Sequence, residues 1–233
     1  MGDLLVKDKE VVVPGQELAF SMDYLPTGGA FRENDKIISS QLGLVSINGR
    51  LIKVIPLKGK YIPKKNDIVI GKIVNMSFSN WFVDIGCPNE AVLSFVNTSE
   101  YIDKGADLAQ YYSFGDLIAA KINKVTRGTI DLTMKEPGLK KLVSGKIINV
   151  TSSKVPRIIG KQGSMITMIK EMLNCRMMVG QNGRVWIQGM PEDELLASKA
   201  IKMIEENAHM EGLTDKVKGF IENEKKKLGV KNV

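Results

Sequence analysis

The segment GKQG, residues 160–163, combines residue types that can hold a phosphate group. Gly160 and Gly163 lack side chains, so main-chain N–H groups beside them can approach phosphate oxygens closely. Lys161 adds a positive charge between the two glycines, and Gln162 adds an amide. The chemistry that this pattern suggests is the binding of a polyanion and not the cleavage of a bond. The residues also allow a second interpretation, a plain turn between two helices.

The elements around GKQG favour the binding interpretation. The run KIINV predicts a strand, VPRII a short apolar helical turn, and the apolar spacing after Ser164 a helix, so GKQG is expected between two helices. A hairpin follows, and then a long helix that begins at Pro191. The second GxxG, Gly180 to Gly183, lies between two strand-like runs, where Asn182 and Gly183 predict a hairpin turn.

The charge of the chain is concentrated around the same segment. The formal net charge at pH 7 is +7, and residues 139–233 account for all of this excess. Part of the excess lies in the Lys-rich C-terminal end, which is typical of a solvated helix end or a tail. The remainder surrounds GKQG and favours a polyanion as the partner.

The middle of the chain predicts a small closed barrel of the oligonucleotide-binding type, because five short strand-like runs follow one another with glycine-bearing turns. These runs are DIVIGKIVNM, WFVDIG, EAVLSF, LIAAKINKV and TIDLTM, with a polar insertion at residues 97–115. Alternation places Trp81, Val83 and Ile85 inside and Phe82 outside. Outward Phe82 allows three interpretations: a base-stacking platform, a contact with another protein, or a plain exposed aromatic residue. The same alternation predicts outward side chains for Lys72 and Lys121.

The first part of the chain predicts a small β domain. Short β-rich runs are broken by turn signals, and Asn48-Gly49 separates two alternating runs as a hairpin turn does. A stretch with Pro56, Gly59 and Pro63 is the expected linker. The fold class is therefore multidomain, mainly β plus α/β. The expected divisions are a β domain at 1–60, the barrel at 61–138, the GKQG domain at 139–212 and a Lys-rich tail at 213–233.

A search for catalytic residues gives no constellation. The single histidine, His209, lies near a predicted helix end, and the acids at 192–194 suit a helix start. Cys87 and Cys175 lack metal-ligand or redox spacing, and no phosphate-binding GxxxxGK[ST] loop occurs. We expect no enzyme and no cofactor, although carboxylates from distant positions can still form a metal site.

The sequence also predicts where the protein is found. It has no apolar run of about 18 residues, the length of a membrane helix, and its start has no signal-peptide character. We therefore expect a soluble, cytoplasmic protein that does not bind a membrane.

Residues from about 145 to 210 resemble a K-homology (KH) domain of the eukaryotic type. The resemblance rests on KIINVTSSKVPRIIGKQGSMITMIKEMLNCRMMVGQNGRVWIQG. In that family the GxxG loop clamps the backbone of about four nucleotides, while bases lie in an apolar groove. The resemblance implies phosphate contacts from the loop, assistance from Arg157 and Lys154, and a groove floor of Ile159, Ile166 and a hairpin methionine.

Residues from about 64 to 136 resemble the barrel RNA-binding domain named after the first protein of the small ribosomal subunit (the S1 domain). NDIVIGKIVNM, FVDIG and IDLTMK carry this resemblance. Family members stack bases on outward aromatics beside basic groups. The RNA contacts that this implies here are Phe78, Phe82, Lys72, Lys121 and Arg127. Ser94 replaces a common histidine and Asp131 a common arginine, which implies weak RNA binding or a role in lining a passage.

The whole arrangement, with VVVPGQEL before and YIPKKNDIVIGKI between the domains, resembles the KH-bearing RNA-binding cap subunits of the archaeal RNA exosome, the ribosomal-RNA-processing proteins of type four. The resemblance implies a non-catalytic subunit, three copies of which lie on a hexameric ring of phosphorolytic, RNase PH-like subunits. It further implies that the N-terminal domain holds the ring and that the barrels guide single-stranded RNA into the entry pore. The alternatives are a stand-alone metal-dependent RNA hydrolase and a ribosome-associated RNA-binding protein.

Overall fold

The computed structural model describes residues 3–20, 22–57, 59–208, 210 and 212–227. The chain divides between Gly59 and Lys60 into two compact units. None of the helices in the described part of the chain combines the length and the apolarity that crossing a membrane requires.

The N-terminal unit consists of short strands, as its β-rich runs and frequent turn signals predict. The strands are β1 (Asp3–Leu4), β2 (Val11–Val12), β3 (Glu17–Phe20), β4 (Leu25–Thr27), β5 (Ala30–Glu33), β6 (Lys36–Ser39), β7 (Gly43–Asn48) and β8 (Leu51–Pro56). They form two four-stranded sheets with the orders β1-β3-β6-β5 and β2-β7-β8-β4. The hairpin predicted at Asn48-Gly49 is confirmed, because β7 and β8 pair antiparallel and Asn48 faces Leu51 across the turn.

One core joins the two sheets of this unit. It is made of alternate strand residues, such as Leu18, Ile37, Val45 and Ile52, which are all fully or almost fully buried. The residues between them point outward, and several of these are also apolar. The N-terminal unit therefore has a small core, and its outer surface carries several exposed apolar side chains.

The barrel begins the second unit, and its five predicted strands are confirmed. They are β9 (Ile68–Met76), β10 (Asn80–Asp84), β11 (Ala91–Ser94), β12 (Leu117–Thr126) and β13 (Thr129–Thr133). The order is β13-β11-β10-β9-β12, and pairing of β12 with β13 closes the barrel. A two-residue strand, β14 (Lys141–Leu142), extends the edge of β12 beyond β13.

The predicted alternation fills the barrel. Trp81, Val83 and Ile85 are completely buried, and Phe82 between them is only half-buried. The insertion at residues 97–115 was predicted as polar, but it contributes Ile102, Leu108 and Tyr112 to the same core. The rings of Trp81 and Tyr112 pack edge to face with centroids 5.1 Å apart, and the Trp81 indole N–H donates to the Tyr112 carbonyl at 3.2 Å.

The C-terminal domain follows the predicted order of strand, helix, GxxG, helix, two strands and helix. Its elements are β15 (Lys146–Asn149), α1 (Val155–Ile159), α2 (Ser164–Leu173), β16 (Arg176–Val179), β17 (Arg184–Gln188) and α3 (Pro191–Glu206), followed by α4 (Leu213–Lys227). The strands form one antiparallel sheet with the order β15-β17-β16.

Both faces of this three-stranded sheet are covered. On one face Val185 and Ile187 pack into a core with the helices. On the other face Trp186, only 5% exposed, packs into the core of the barrel together with half-buried Ile147 and Met178. The Trp186 indole N–H also donates to the Ser144 carbonyl at 2.7 Å. The sheet is therefore a shared wall between the helices and the barrel.

The segment predicted as a Lys-rich tail contains a packed helix. Leu213, Val217 and Ile221 of α4 are buried against the other helices, at the spacing of one helix face. Lys216, Lys218 and Lys226 are exposed on the other faces of α4, which explains why composition alone suggested a tail. Residues 228–233 of that predicted tail lie outside the described residues.

Candidate nucleic-acid interface

The GKQG loop has a conformation that requires its glycines. Gly160, at the end of α1, has φ of +77° and ψ of 175°. A Cβ atom there would lie 2.7 Å from both the backbone nitrogen and the Cβ of Met165, so any other residue clashes. Gly163 has φ of +81°, but a Cβ there would meet nothing within 4 Å. Gly163 is thus required for its backbone conformation alone, and the space beside it is open.

The tip of the loop points into solvent. Lys161 and Gln162 are both exposed, and Gln162 adopts a left-handed conformation with φ of +53°. Gly163 occupies the position before α2, and because it has no side chain it cannot cap the first amides of that helix. The positive end of the α2 dipole lies directly after Gly163. The N–H groups of Gly163 and Ser164 donate to the Gly160 and Lys161 carbonyls inside the loop. The loop therefore presents a lysine charge and the positive end of a helix to an anion.

The two basic residues predicted to assist the loop differ in their surroundings. Arg157 is exposed on α1. Lys154 is half-buried, and its Nζ donates to the carbonyl oxygen of Glu205 at 2.7 Å. The Glu205 carboxylate in turn accepts from the backbone N–H and the hydroxyl of Thr151. Lys154 thus fastens the end of α3 to the segment before α1, whereas Arg157 remains available at the surface.

The predicted groove floor is mostly engaged in the core. Ile159 is half-buried beside the loop. Ile166 is only 9% exposed and packs among the helices. Of the hairpin methionines, Met177 belongs to the helix core and Met178 packs against the barrel. Ile159 is therefore the predicted floor residue that offers the most surface to a base.

On the barrel, Phe82 belongs to a row of residues that crosses all five strands. It faces Asn75 on one side and Val92 on the other. Val92 faces Asp131, and Asp131 faces exposed Lys124. Register partners on adjacent strands have neighbouring side chains, so the aromatic, the carboxylate and the amine lie on one surface. Lys124 was not selected from the sequence. The signal that would have found it is its position three residues before the β12–β13 turn, which matches the position of Asp131 three residues after that turn.

The other barrel residues selected from the sequence are not equally available. The ring of Phe78, in the β9–β10 turn, is fully exposed, and Lys72 is exposed on β9. Lys121 instead forms an ion pair with Glu136, with Nζ and Oε1 2.5 Å apart. Arg127 is exposed in the β12–β13 turn. Phe78, Phe82 and Lys72 thus lie on β9 or next to it. Lys121, on the adjacent strand β12, faces Ile68 at the start of β9.

The second GxxG segment joins the C-terminal domain to the barrel. It forms the predicted turn between β16 and β17, with Gly183 at φ of +81°. The side-chain amide of Asn182 donates to the carbonyls of Ile70 and Ile85 at 2.8 and 3.0 Å, and its Oδ1 accepts from the Ile70 N–H at 3.2 Å. This turn is therefore occupied by the barrel, and GKQG is the GxxG segment that faces solvent.

An ion pair lies beside this turn. Arg184 Nη2 contacts Asp84 Oδ2 at 2.6 Å, and Nη1 donates to the Asp84 carbonyl at 2.6 Å. Partial burial by itself raises the pKa of Asp84, but hydrogen bonds from Arg184 and from the Gly86 N–H outweigh it, so the pKa lies below its ordinary value. The Asp84 carboxylate is therefore ionised, and the pair intact, throughout the neutral range.

The described residues considered for catalysis lie at a helix start or are shielded by burial. Glu192, Asp193 and Glu194 lie in the first turn of α3 as predicted, and Glu194 accepts from the Gly189 N–H at 3.0 Å. Burial raises the pKa of the Cys175 thiol to about 11 and also raises that of Cys87. Among residues 3–20, 22–57, 59–208, 210 and 212–227, no three His, Cys, Asp or Glu side chains gather as metal ligands. His209 lies outside the described residues.

Two family models match the second unit. A KH-domain model matches residues 145–193, which include GKQG and the hairpin. An S1-domain model specific to Rrp4 matches residues 60–124. The expected fold class is thereby confirmed, with an N-terminal β domain, an S1-type barrel and a KH domain.

Comparison with whole proteins extends the match to nearly the full chain. The chain is 48% identical over 220 residues to the exosome complex component Rrp4 of Methanothermus fervidus, which covers 94% of this chain and 97% of the relative. It is 46% identical over 227 residues to that of Pyrococcus furiosus, with coverage of 95% and 86%.

A solved structure gives the same result. A crystal structure provisionally described as an exosome complex RNA-binding protein superposes with a TM-score of 0.64 at 36% identity, covering 72% of this chain and 98% of that one. The two domain models, the length of the matches and their level of identity agree: the chain belongs to the Rrp4 family of exosome complex components.

Proposed function

We propose that this chain is a non-catalytic RNA-binding subunit of an exosome of the archaeal type. It caps a phosphorolytic 3′–5′ exoribonuclease ring and guides single-stranded RNA into the entry pore of that ring. The observation that carries the RNA-binding part is the solvent-facing GKQG loop, whose glycines are required by conformation and whose tip carries Lys161. Relatives over nearly the whole chain are named as exosome complex components, which supports the assembly part.

The residues proposed to contact RNA form two groups. In the KH domain they are Gly160, Lys161, Gln162, Gly163, Arg157 and Ile159, and on the barrel they are Phe78, Phe82 and Lys72. We assign a smaller part to Lys154, Ile166 and Lys121, because each is engaged with other residues of the protein. Arg127 is exposed on a different turn of the barrel, and we retain it as an outlying phosphate contact.

The first test uses the purified chain alone. It is expected to bind a labelled single-stranded RNA, with an affinity that falls steeply between about 50 and 200 mM salt because the contacts are mainly to phosphates. The same preparation should leave the RNA intact with magnesium, with phosphate and with both. Degradation is expected only when the ring subunits and phosphate are added together. Strong magnesium-dependent cleavage by the chain alone would support the hydrolase alternative instead.

The N-terminal unit is the part proposed to bind the ring. One of its sheets has an outward surface that is mostly apolar, and we call this surface the apolar face. It consists of Val11, Val13, Leu42, Leu44 and Ile55. Val11 faces Leu44 across β2 and β7, and Leu44 faces Ile55 across β7 and β8, so these three side chains are contiguous. A contiguous apolar surface of this kind is typical of a lasting protein contact. Three copies on a hexameric ring is the arrangement that the family resemblance implies.

The apolar face gives a specific prediction. Replacing Val11 and Ile55 by aspartate is expected to weaken association with the ring by about 10-fold to 100-fold, because two charges would be buried in an apolar contact. Both side chains are exposed, so the fold should persist. The matched control is Phe31→Asp on the other sheet, since Phe31 is 44% exposed and Ile55 is 45% exposed. Co-sedimentation with the ring subunits measures the effect, and equal losses in both variants would rule out this face as the contact.

We propose the cytoplasm as the compartment, because the relatives compared above are archaeal proteins. The ribosome-associated alternative predicts co-sedimentation with ribosomal subunits in extract, whereas the exosome proposal predicts a complex of the size of the capped ring.

A further inference from the structure

Phe114 lies outside the barrel strands, at the tip of a turn that is held firmly against β9. The turn spans Ser113 to Asp116 and is closed by the Asp116 N–H, which donates to the Ser113 carbonyl at 3.1 Å. Gly115 at φ of +88° allows this geometry. The Gly115 N–H donates to the Ile73 carbonyl, and the Ile73 N–H donates to the Asp116 carbonyl, both at 2.9 Å. The turn is fixed, and yet the Phe114 side chain is 64% exposed.

Phe114 joins two other rings around the second half of β9. Phe82 faces Asn75 from the β10 side. Phe78 lies in the turn that follows β9, and the Phe114 turn lies on the opposite edge, at Ile73. Ile73 and Asn75 are two residues apart, which is about 7 Å along a strand, and neighbouring strands are about 4.8 Å apart. Three phenyl rings therefore surround a short length of one strand, each on a different element.

A cation lies beside the Phe114 turn, and its register partners are Asp84 on β10 and Leu117 on β12. Lys72 is exposed on β9, and its Cε is 3.8 Å from the position that a Cβ on Gly115 would occupy. The Lys72 side chain thus extends along the turn that carries Phe114. Aromatic rings interleaved with a basic side chain are the arrangement on which single-stranded nucleic acids stack.

The polar surroundings of the rings favour RNA over protein as the occupant. Val74 is exposed on β9 in the same region, but Asn75, Ser77 and Ser113 are exposed between and beside the rings, so polar side chains interrupt the apolar surface. The core of a protein contact is continuous and apolar, as on the apolar face of the N-terminal unit. Bases need no such continuity, because each stacks on a ring by itself while its phosphate stays in water.

We propose that Phe114 stacks a base of the bound single strand, so that RNA crosses β9 from Phe82 and Phe78 to the turn at residues 113–116, with Lys72 against its backbone. This inference rests on the proposed function and extends the RNA path to a segment that the strand pattern of the barrel does not include.

The test compares two probes on the full chain. One is a fluorescein-labelled oligouridylate, and the other is an oligomer of the same length that keeps the sugar–phosphate backbone but has no bases. Phe114→Ala is expected to weaken binding of the oligouridylate by about fivefold to 100-fold, as loss of one stacked base does. Binding of the abasic oligomer should not change. Phe114→Trp should retain the wild-type affinity, and Phe31→Ala in the N-terminal unit is the control for loss of an exposed ring.

The outcomes separate this inference from the proposed function. If Phe114→Ala binds oligouridylate normally while loss of the GKQG charge weakens binding, the inference fails and the proposed function stands. If the wild-type chain binds no RNA, both fail. Stacking is also overturned if Phe114→Ala loses the same affinity for both probes. The same holds if Phe114→Ala binds RNA normally but no longer associates with the exosome ring subunits. Should Phe114→Ala not fold, photo-cross-linking of wild-type protein to a 5-iodouridine oligomer decides: cross-links within residues 112–116 support the inference, and cross-links confined to other segments overturn it.

Discussion

Replacing Lys161 and Gln162 together by aspartate is expected to lower the affinity for single-stranded RNA on the order of 100-fold at 0.1 M salt. The estimate follows from losing two to three phosphate contacts, each of which releases bound counterions. Both residues are exposed, and aspartate tolerates the left-handed conformation at position 162, so the fold should not change. Fluorescence anisotropy at several salt concentrations measures the loss, and circular dichroism checks the fold. The slope of affinity against salt should also become shallower.

The matched control for this variant lies on α4. Lys218→Asp with Asn223→Asp changes the net charge of the chain by the same amount, and both positions are exposed. This control should lower the affinity far less, since long-range charge is screened within about 10 Å at 0.1 M salt. Equal losses of RNA affinity in the two double variants would mean that binding depends on the overall charge of the protein. Phosphate binding by the GKQG loop would then be ruled out.

Trp186→Ala is expected to lower the free energy of unfolding of the second unit by about 3–5 kcal/mol, as is typical for removing a buried tryptophan. The loss is large because this side chain of the KH sheet packs into the barrel core, so the cavity that it leaves affects both domains. The Ser144 carbonyl also loses its donor. Urea unfolding followed by circular dichroism measures the change.

Trp186→Phe is the control for this second variant. It keeps most of the packing and loses the indole N–H, so a cost of about 1 kcal/mol is expected. If Trp186→Ala lowers the free energy of unfolding no more than Trp186→Phe does, the indole ring does not hold the two domains together. The sheet that they share would then contribute little to stability.

The strands of the barrel were predictable from the sequence because their signal is local. Trp81, Val83 and Ile85 alternate with Phe82 along a single strand, and one buried face is enough to produce that pattern. GKQG was predictable for the same reason, since its conformation depends on two glycines in the loop itself. The helix start at Pro191 likewise needs only the residues that form it.

Contacts between distant residues were not predictable. Alternation places Lys121 on the outside correctly, but nothing in its neighbourhood indicates that Glu136 neutralises it. Lys154 precedes the loop by a few residues and still donates to Glu205 of a later helix. Asn182 was correctly predicted in a hairpin turn, although its partners Ile70 and Ile85 are about a hundred residues away. Such partners are fixed by tertiary packing, which one sequence does not display.

The sequence of α4 contains a helical pattern, but its lysine content outweighed that pattern in the prediction. Leu213, Val217 and Ile221 recur at a helical period, yet the lysines among them suggested a solvated tail. The barrel insertion is similar, because Ile102, Leu108 and Tyr112 are spaced irregularly and lie among polar residues. Irregular segments bury side chains without a period, so composition alone classified this one as polar.

The sheet shared by the KH helices and the barrel has a consequence for the length of RNA that can contact both domains. Because Trp186 and Asn182 lock the two modules together, the span from GKQG to the rings around β9 is set by buried side chains and not by a flexible tether. If both proposed sites bind RNA, an oligonucleotide that is long enough to cover this span will reach the second site by an intramolecular step, at a lower entropic cost than a flexible linker between the domains would impose. We therefore expect strands that are shorter than the span to contact only one of the two sites.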